Sequence, residues 1–374
     1  IRGYHRLMKK ISLILITFLL IFGASGSYGY FVYIHEDDNS SSGKIVVQEE
    51  LIEDEQSETS ENQTADNETE KPEEEDLPFE IFGIYNCIDH DLEQRCWQVH
   101  IPDDLDTSIS VPLIVDIHGY SSNSTNHRAL SDFDSIADEF GAIVLYPDGL
   151  TSQNPWDTDA HQGWNAGWCC GRPASENIDD VGFIEEIVSI SLEIYNIDSD
   201  RIYASGWSNG CAMAQRMAME SSHIFAAVGC MSFYLLMTPN NSYNPIPVME
   251  VHGFLDQVVL YESSVLSVPT NPEAWTDPEA VQTGAIENLY EWASLNGCTG
   301  VTPDYNDLQP LYSIQGFSSC ENDSQVRLMT IYAAQHNPYA KDVGGGGPGE
   351  LLPGTQGLVQ SSYIVWNFIS QFSK

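Results

Sequence analysis

The pentapeptide Gly206-Trp207-Ser208-Asn209-Gly210 constrains this chain more than any other stretch, because it has the pattern G-x-S-x-G. A strand-type run, 201–205, precedes it and a helix-type run, 211–220, follows it. A strand that turns abruptly into a helix has room only for small residues beside the turn, and it presents the central side chain at a sheet edge. The helix also directs its first N–H groups and the positive end of its dipole toward that side chain. The arrangement predicts that Ser208 is a nucleophile, with an ordinary tight turn as the alternative.

Apolar runs alternate with helix-type runs on both sides of the pentapeptide. The predicted strands lie at 111–117, 142–146, 201–205, 225–229, 247–253 and 326–332. The main predicted helices lie at 132–140, 179–195, 279–296 and 356–371. Nearly continuous apolar strands indicate a sheet that is covered on both faces. The sequence therefore predicts an α/β fold, with a mostly parallel central sheet flanked by helices.

The order of residues along the chain selects partners for Ser208. A serine nucleophile of this type is followed by an acid and then by a histidine. Asp256 lies just past the strand predicted at 247–253, where the acid belongs, and His336 follows it after the last predicted strand. The other histidines after Ser208 precede the acid; they are His223 and His252. We expect a triad of Ser208, His336 and Asp256, which needs no metal or organic cofactor. Weaker candidates for the acid are Asp277 and Asp323.

The segment His118-Gly119-Tyr120, after the first predicted strand, has the position of a second donor to an anionic oxygen. In such sites one backbone N–H comes from this loop and another from the residue after the nucleophile. We therefore assign an oxyanion hole to the N–H groups of Tyr120 and Asn209. His118 is interpreted as a structural residue that holds the loop.

A long insertion at 150–177 is rich in tryptophan and contains two adjacent cysteines. Long loops inside a compact domain are usually functional or disordered, and this composition favours order. We predict that the aromatic loop forms a wall of the substrate cleft, with Trp164, Trp168 and Trp207 as substrate-binding residues. The alternative is a surface loop pinned by a disulfide, with its tryptophans buried.

The formal net charge of −41 at pH 7 excludes two classes of partner. Nucleic acids and anionic membrane surfaces repel so acidic a chain. The adjacent carboxylates Asp179 and Asp180 are interpreted as caps of a helix N-terminus, rather than as a metal site.

The N-terminal region predicts export from the cytoplasm. Residues 11–22 are apolar, follow Lys9 and Lys10, and precede small residues, as in a secretory signal peptide. The uncharged run continues to Ile34, so 1–34 also has the length of an uncleaved membrane anchor through residues 11–34. An acidic disordered stalk is predicted at 35–77 and a monomeric catalytic domain at 78–374.

The spacing of two cysteines also indicates export from the cytoplasm. Cys87 and Cys96 bracket a short polar segment before a strand-type run, which predicts a disulfide across a hairpin. Two buried thiols are the alternative.

Several motifs resemble those of one enzyme family. They are His118-Gly119, Tyr146-Pro147-Asp148-Gly149, Gly163-Trp164-Asn165-Ala166-Gly167 with Cys169-Cys170, Asp179 to Phe183, Gly206 to Gly210, and Asn296-Gly297-Cys298. Over residues 79–374 the chain resembles the secreted polyhydroxybutyrate depolymerase and feruloyl esterase group of the α/β-hydrolases. The resemblance implies an α/β-hydrolase fold and an extracellular serine carboxylesterase. Its implied substrates are polyesters or feruloyl and related hydroxycinnamoyl esters of polysaccharides.

The resemblance also implies a disulfide between Cys298 and Cys320. Cys211 replaces a glycine often found after the pentapeptide, and it has Cys169 or Cys170 as a possible partner unless those neighbours bond to each other. Cys230 has no assigned partner. The alternative activities are acetylxylan or small-ester hydrolysis and peptide hydrolysis, and the alternative of another class is a non-catalytic binding scaffold.

Overall fold

A computed structural model describes residues 81–82, 85–151, 161–237, 242–262, 284–339 and 359–374. The predicted signal peptide or anchor at 1–34, the predicted stalk at 35–77 and Asp277 lie outside these residues. Within the described ranges, no helix combines the length and the apolar character that a membrane span requires.

Strands and helices alternate through most of the described chain. The strands are β1 (Ile81–Phe82), β2 (Tyr85–His90), β3 (Glu93–His100), β4 (Val111–Ile117), β5 (Ile143–Pro147), β6 (Leu150–Thr151), β7 (Gln162–Gly163), β8 (Ile197–Gly206), β9 (Ala227–Met231), β10 (Val248–Gly253), β11 (Tyr305–Leu308), β12 (Tyr312–Phe317) and β13 (Val326–Ile331). The helices are α1 (Ser124–Leu130), α2 (Phe133–Phe140), α3 (Gly171–Ser175), α4 (Asp180–Ile194), α5 (Asn209–Glu220), α6 (Ala285–Leu295) and α7 (Ser361–Ile369). Each strand predicted from the sequence overlaps an observed strand.

Eleven of these strands form one sheet, in the order β1-β2-β3-β5-β4-β8-β9-β10-β13-β12-β11. The six central strands from β5 to β13 run parallel, and the pairs at both edges run antiparallel. This confirms the predicted α/β fold with a mostly parallel sheet. The carboxyl ends of the parallel strands lie along one edge, where loops of an α/β sheet form binding sites.

The sheet is buried on both faces, which explains why its central strands are apolar throughout. On β4, Leu113, Val115 and Ile117 belong to the core under α4, α5 and α6. Ile114, which points to the opposite face, belongs to the core under α2 and α7. This alternation follows from the two-residue period of a strand.

The sequence did not predict the antiparallel pair β11 and β12 between Cys298 and Cys320. β11 has no buried residue, so its polar sequence resembles that of a loop. β12 pairs with the edge of β13, and Ile314 and Phe317 are buried. Pairing with an existing edge of the sheet therefore allows strands to form where the sequence has few apolar residues.

All eight cysteines form disulfides. The expected pairs Cys87–Cys96 and Cys298–Cys320 are present, the first across β2 and β3. Cys169 and Cys170 bond to each other. Of the two alternatives left open for these cysteines, the structure has the bond between neighbours, so neither of them pairs with Cys211. Cys211 is on the face of α5 that packs on the sheet, so its partner is Cys230 of β9.

Candidate active site

A strained turn between β8 and α5 carries Ser208. Its backbone angles, φ 55° and ψ −125°, are rare for a residue with a side chain and cost about 1–3 kcal/mol. The flanking glycines permit the turn: a Cβ atom on Gly206 would lie 2.6 Å from the Gly210 carbonyl oxygen, and one on Gly210 would lie 2.1 Å from that of Ile117. Hydrogen bonds from Trp207 N to Ile117 O and from Ser208 N to Met231 O tie the turn to its neighbouring strands. The strain is therefore maintained by the surrounding sheet.

Three loops bring Ser208, His336 and Asp256 together at the carboxyl edge of the sheet. The His336 Nε2 atom lies 2.9 Å from Ser208 Oγ, and its Nδ1 atom lies 2.8 Å from Asp256 Oδ2. An ionised Asp256 can only accept a hydrogen bond, so the proton of a neutral His336 lies on Nδ1, which leaves Nε2 as the acceptor for the serine hydroxyl. Of the weaker acid candidates, Asp323 is exposed and lies before the start of β13, whereas His336 lies after its end. Asp277 lies outside the described residues.

The Asp256 carboxylate is held by donors on both oxygens. Its Oδ1 accepts the backbone N–H groups of Val258 and Val259 at 2.8 and 2.9 Å. Its Oδ2 faces His336 and also His252 Nε2, at 3.3 Å. Burial by itself raises the pKa of Asp256, but the electrostatic interactions and hydrogen bonds with His336 and His252 outweigh it and hold the pKa well below its usual range. Asp256 is therefore ionised at neutral pH.

Trp207 fixes His336 from the side. The Trp207 Nε1 atom donates to the His336 carbonyl oxygen at 2.8 Å, and the two ring centroids lie 5.4 Å apart. Trp207 is partly exposed, so the predicted contact with a substrate is sterically open.

The two predicted oxyanion donors flank the nucleophile. Asn209 is the first residue of α5, and the first N–H groups of a helix have no intrahelical acceptor. The loop with Tyr120 passes close by, because a Cβ atom on Gly119 would lie only 3.3 Å from the Ser208 Cβ atom. The Tyr120 ring is partly exposed and packs near the ring of His161, with the centroids 5.5 Å apart.

His118 holds this loop as a neutral side chain. The Gly149 N–H donates to His118 Nε2 at 2.9 Å, so the ring proton is on Nδ1 and points to Gly119 O at 2.8 Å. Burial lowers the pKa of His118 to about 4, more than its hydrogen bond to Gly119 raises it. The structural interpretation of His118 fits these contacts.

The insertion is anchored directly on the nucleophile turn. The Asn209 side chain accepts from Trp164 N at 2.7 Å and donates to Trp164 O at 3.1 Å. Trp164 Nε1 donates to His118 O, and its side chain is fully buried. Trp164 therefore supports the loop and does not line the cleft, which corrects its predicted role. Trp168 is partly exposed and packs edge-on against Phe233.

The acidic pair after the insertion has two structural functions. Asp179 caps α4 by accepting from Gly182 N at 2.9 Å, as predicted. Asp180 is buried, pairs with Arg95 at 2.6 Å and accepts from Asn165 N at 2.7 Å. Burial raises the pKa of Asp180, although Arg95 opposes the shift.

Sequence reasoning missed the groups behind Asp256. His252 contacts both Glu250 and Asp256, and Glu250 also contacts Asn288 of α6. The sequence did contain a signal for this pair, because Glu250 and His252 are two residues apart and so lie on the same face of a strand that is otherwise apolar. Chain order by itself only excludes His252 as the triad histidine, because it precedes Asp256.

Comparison with known proteins shows what this chain is similar to. A model of the family "Esterase PHB depolymerase" matches residues 96–274. Feruloyl esterase B of Piromyces equi is 28% identical over 232 residues, which are 61% of this chain and 40% of that protein. A bifunctional acetylxylan esterase/xylanase of Neocallimastix patriciarum is 23% identical over 263 residues, 70% of this chain and 31% of that protein. The chain thus spans less than half the length of these two relatives. Among solved structures, an acetyl xylan esterase from Aspergillus awamori covers 68% of this chain and 94% of its own, with a TM-score of 0.47 and 15% identity.

Proposed function

Because the chain is similar to the polyhydroxybutyrate depolymerase and feruloyl esterase group of the α/β-hydrolase superfamily, we propose that it is a serine carboxylesterase of this group. The observation that carries the proposal is the hydrogen-bonded series from Ser208 Oγ through His336 to Asp256, with Ser208 on a strained turn. In this proposal Ser208 is the nucleophile, His336 the general base and then acid, and Asp256 the group that orients and stabilises the imidazolium.

The reaction follows from the geometry. His336 Nε2 removes the hydroxyl proton as Ser208 Oγ attacks the ester carbonyl carbon, and the N–H groups of Tyr120 and Asn209 stabilise the oxyanion. When the tetrahedral intermediate collapses, the C–O bond to the leaving alcohol breaks, and the alcohol takes the proton from His336. Water then attacks the acyl-enzyme by the same steps, which releases the acid and restores Ser208.

The proposed substrates are polyesters of the polyhydroxyalkanoate type or feruloyl esters of polysaccharides. The family description and the name of one relative support these two classes. Partly exposed aromatic side chains offer faces to a phenolic ring or an extended chain; they are Trp207 beside Ser208, Tyr120 on the neighbouring loop and Trp168 on the insertion. Acetylxylan hydrolysis is the alternative, favoured by the name of the second relative.

Export from the cytoplasm is part of the proposal. Disulfides persist in oxidising compartments, and this chain pairs all eight of its cysteines. We propose a monomeric enzyme that acts outside the cytoplasm, either released after cleavage within 1–34 or held at the cell surface by residues 11–34.

The direct test offers the full chain methyl ferulate, amorphous polyhydroxybutyrate film and acetylated xylan in parallel, with product release as the measurement. Ser208→Ala is expected to lower turnover by a factor on the order of 10⁶ without loss of folding. Ser175→Ala is the matched control, because this exposed serine lies on α3 and bonds only to Arg172 O among the contacts described. Retained activity in Ser208→Ala would identify a different nucleophile, and no product from any ester would reject the esterase.

A further inference from the structure

A buried ion pair stands directly behind the triad acid. On β10, Glu250 and His252 are two residues apart and point to the same face, and they are 2% and 0% exposed. The His252 Nδ1 atom lies 2.6 Å from Glu250 Oε1, and its Nε2 atom lies 2.8 Å from Val259 O and 3.3 Å from Asp256 Oδ2. The Val259 carbonyl oxygen can only accept, so Nε2 carries a proton, and with Glu250 ionised Nδ1 carries one as well, which makes His252 an imidazolium.

The remaining oxygen of Glu250 is also satisfied. Its Oε2 atom accepts from Asn288 Nδ2 at 2.6 Å, and Asn288 Oδ1 accepts from Leu235 N at 3.0 Å. A contiguous series of hydrogen bonds and ion pairs thus runs from α6 through Glu250, His252, Asp256 and His336 to Ser208. Buried charges persist only when they are paired and hydrogen-bonded, and every member of this series meets that condition.

We propose that His252 is a positioning residue of the esterase reaction, which holds the Asp256 carboxylate ionised and directed at His336, with Glu250 as the counter-charge of the His252 imidazolium. This inference rests on the proposed function. Two Asp256 oxygens receive four donors: Val258 N, Val259 N, His252 Nε2 and His336 Nδ1. The His252 contact restrains the oxygen that must face His336 throughout the reaction.

The surrounding groups favour this charge distribution. Burial lowers the pKa of His252, but Asp256 and Glu250 together raise it to about 10. Burial raises the pKa of Glu250, and His252 opposes that shift. Around His252, the ring of Tyr234 is stacked with its centroid 5.5 Å away, and the ring of Tyr261 lies edge-on at 5.8 Å. Burial raises the pKa of both tyrosines, so they remain neutral; the further charges near them are Glu287 of α6 and, beside Tyr261, Glu262.

The two charges act on the reaction in opposite directions. When His336 takes the Ser208 proton, its new charge is stabilised by Asp256 and opposed by His252, while Glu250 offsets His252. Glu250→Gln leaves the His252 charge uncompensated, so protonation of the base becomes harder. His252→Gln removes a nearby positive charge, and the buried Glu250 then takes up a proton, so protonation of the base becomes easier. A residue with a packing role alone would not produce shifts of opposite sign.

The experiment compares full-length wild type with His252→Gln, Glu250→Gln and the double variant. It measures kcat and KM against pH on the ester that the wild type hydrolyses, and the rate at which a fluorophosphonate labels Ser208. His252→Gln is expected to lower kcat roughly 10–100-fold with KM nearly unchanged, less than the ~10⁴-fold loss from removing the function of a triad acid. In the plot of kcat/KM against pH, the acidic limb reports protonation of the base, His336. It should move to higher pH in His252→Gln and to lower pH in Glu250→Gln. The double variant should lose less than the product of the two single losses, because it removes both charges of the pair.

The matched control is His127→Gln. His127 is equally buried and pairs with Asp116 at 3.0 Å, but it contacts neither Asp256 nor His336 in the described contacts. It should lower the melting temperature without moving the acidic limb. Stability adds a second measurement: because the folded pKa of His252 is raised from 6.5 to about 10, its contribution is complete below pH ~6.5 and is lost as the pH rises toward ~10. The wild type should therefore lose more stability than His252→Gln across that window.

Each result decides a separate point. A labelled, active wild type with unchanged kcat and unchanged pH limbs in His252→Gln overturns the inference and leaves the esterase intact. If His252→Gln does not fold, the pH profile of Glu250→Gln provides the test. An acidic limb at the wild-type pH in that variant overturns the inference. A wild type that is labelled but cleaves no ester refutes the proposed substrates, while labelling rates still test His252. A folded wild type that is neither labelled nor active refutes the esterase, and the role of His252 with it.

Discussion

Replacing Asn209 with alanine tests whether the nucleophile turn holds the aromatic insertion in place. Both Asn209 and Trp164 are fully buried, and the amide of Asn209 pairs with the backbone of Trp164 through two hydrogen bonds. The Trp164 carbonyl has further donors in Ala166 N and Cys170 N, at 3.0 Å each. Alanine would therefore leave chiefly the Trp164 N–H without a partner.

The size of the effect follows from that single orphaned donor. An unpaired buried N–H costs about 1–3 kcal/mol, which in a domain of this size lowers the melting temperature by roughly 2–6 °C. The backbone N–H of Asn209 remains, so a proposed oxyanion donor is kept. Trp164 also bonds to His118 O, however, and movement of that loop would displace the second donor. Misplacement of about 1 Å costs up to ~10²-fold, so we expect kcat/KM to fall roughly 10–100-fold.

The assay pairs thermal unfolding with ester hydrolysis. Asn196→Ala is the matched control, because this exposed asparagine also donates to a backbone oxygen, Thr107 O at 3.2 Å, but precedes β8 at the end of that strand opposite the turn. It should change neither quantity. An Asn209→Ala variant with wild-type melting temperature and wild-type kcat/KM would refute the reasoning, since it would show that the elbow does not anchor the insertion.

Two further substitutions test the geometry around the turn. In Gly210→Ala the new Cβ atom would lie 2.1 Å from Ile117 O, so we expect little soluble protein, or folded protein with kcat/KM reduced about 100-fold or more; near-normal activity would show that β4 can move away. Replacing Cys211 and Cys230 together with alanine opens a loop with a sequence separation of 19. This should cost about 3 kcal/mol in urea unfolding while activity in buffer is retained, whereas an unchanged midpoint would mean that the two thiols are unpaired in solution.

Local patterns were sufficient for the elements around the nucleophile. The G-x-S-x-G turn, its strand and its helix are adjacent in sequence, so short-range sterics determine them. The parallel strands follow from runs such as Val111–Ile117, because only a sheet covered on both faces requires seven consecutive buried residues. The edge pair β11 and β12 escaped prediction, because the exposed residues of β11 have no strand period; β12 pairs with β13, and β11 pairs with β12.

Chain order alone pointed to Ser208, Asp256 and His336, which the structure brings within hydrogen-bonding distance. Sequence could not decide the pairing of Cys211, since helix rotation determines whether it faces the insertion or β9. It also assigned Trp164 to the cleft, whereas packing on His118 and Asn209 buries it. The proposed role of Glu250 and His252 depends on tertiary structure, because the loop after β10 places Asp256 against His252. The physical reason is common to all three cases: sequence determines what a residue can do locally, but the charges and surfaces it meets come from segments distant in the chain.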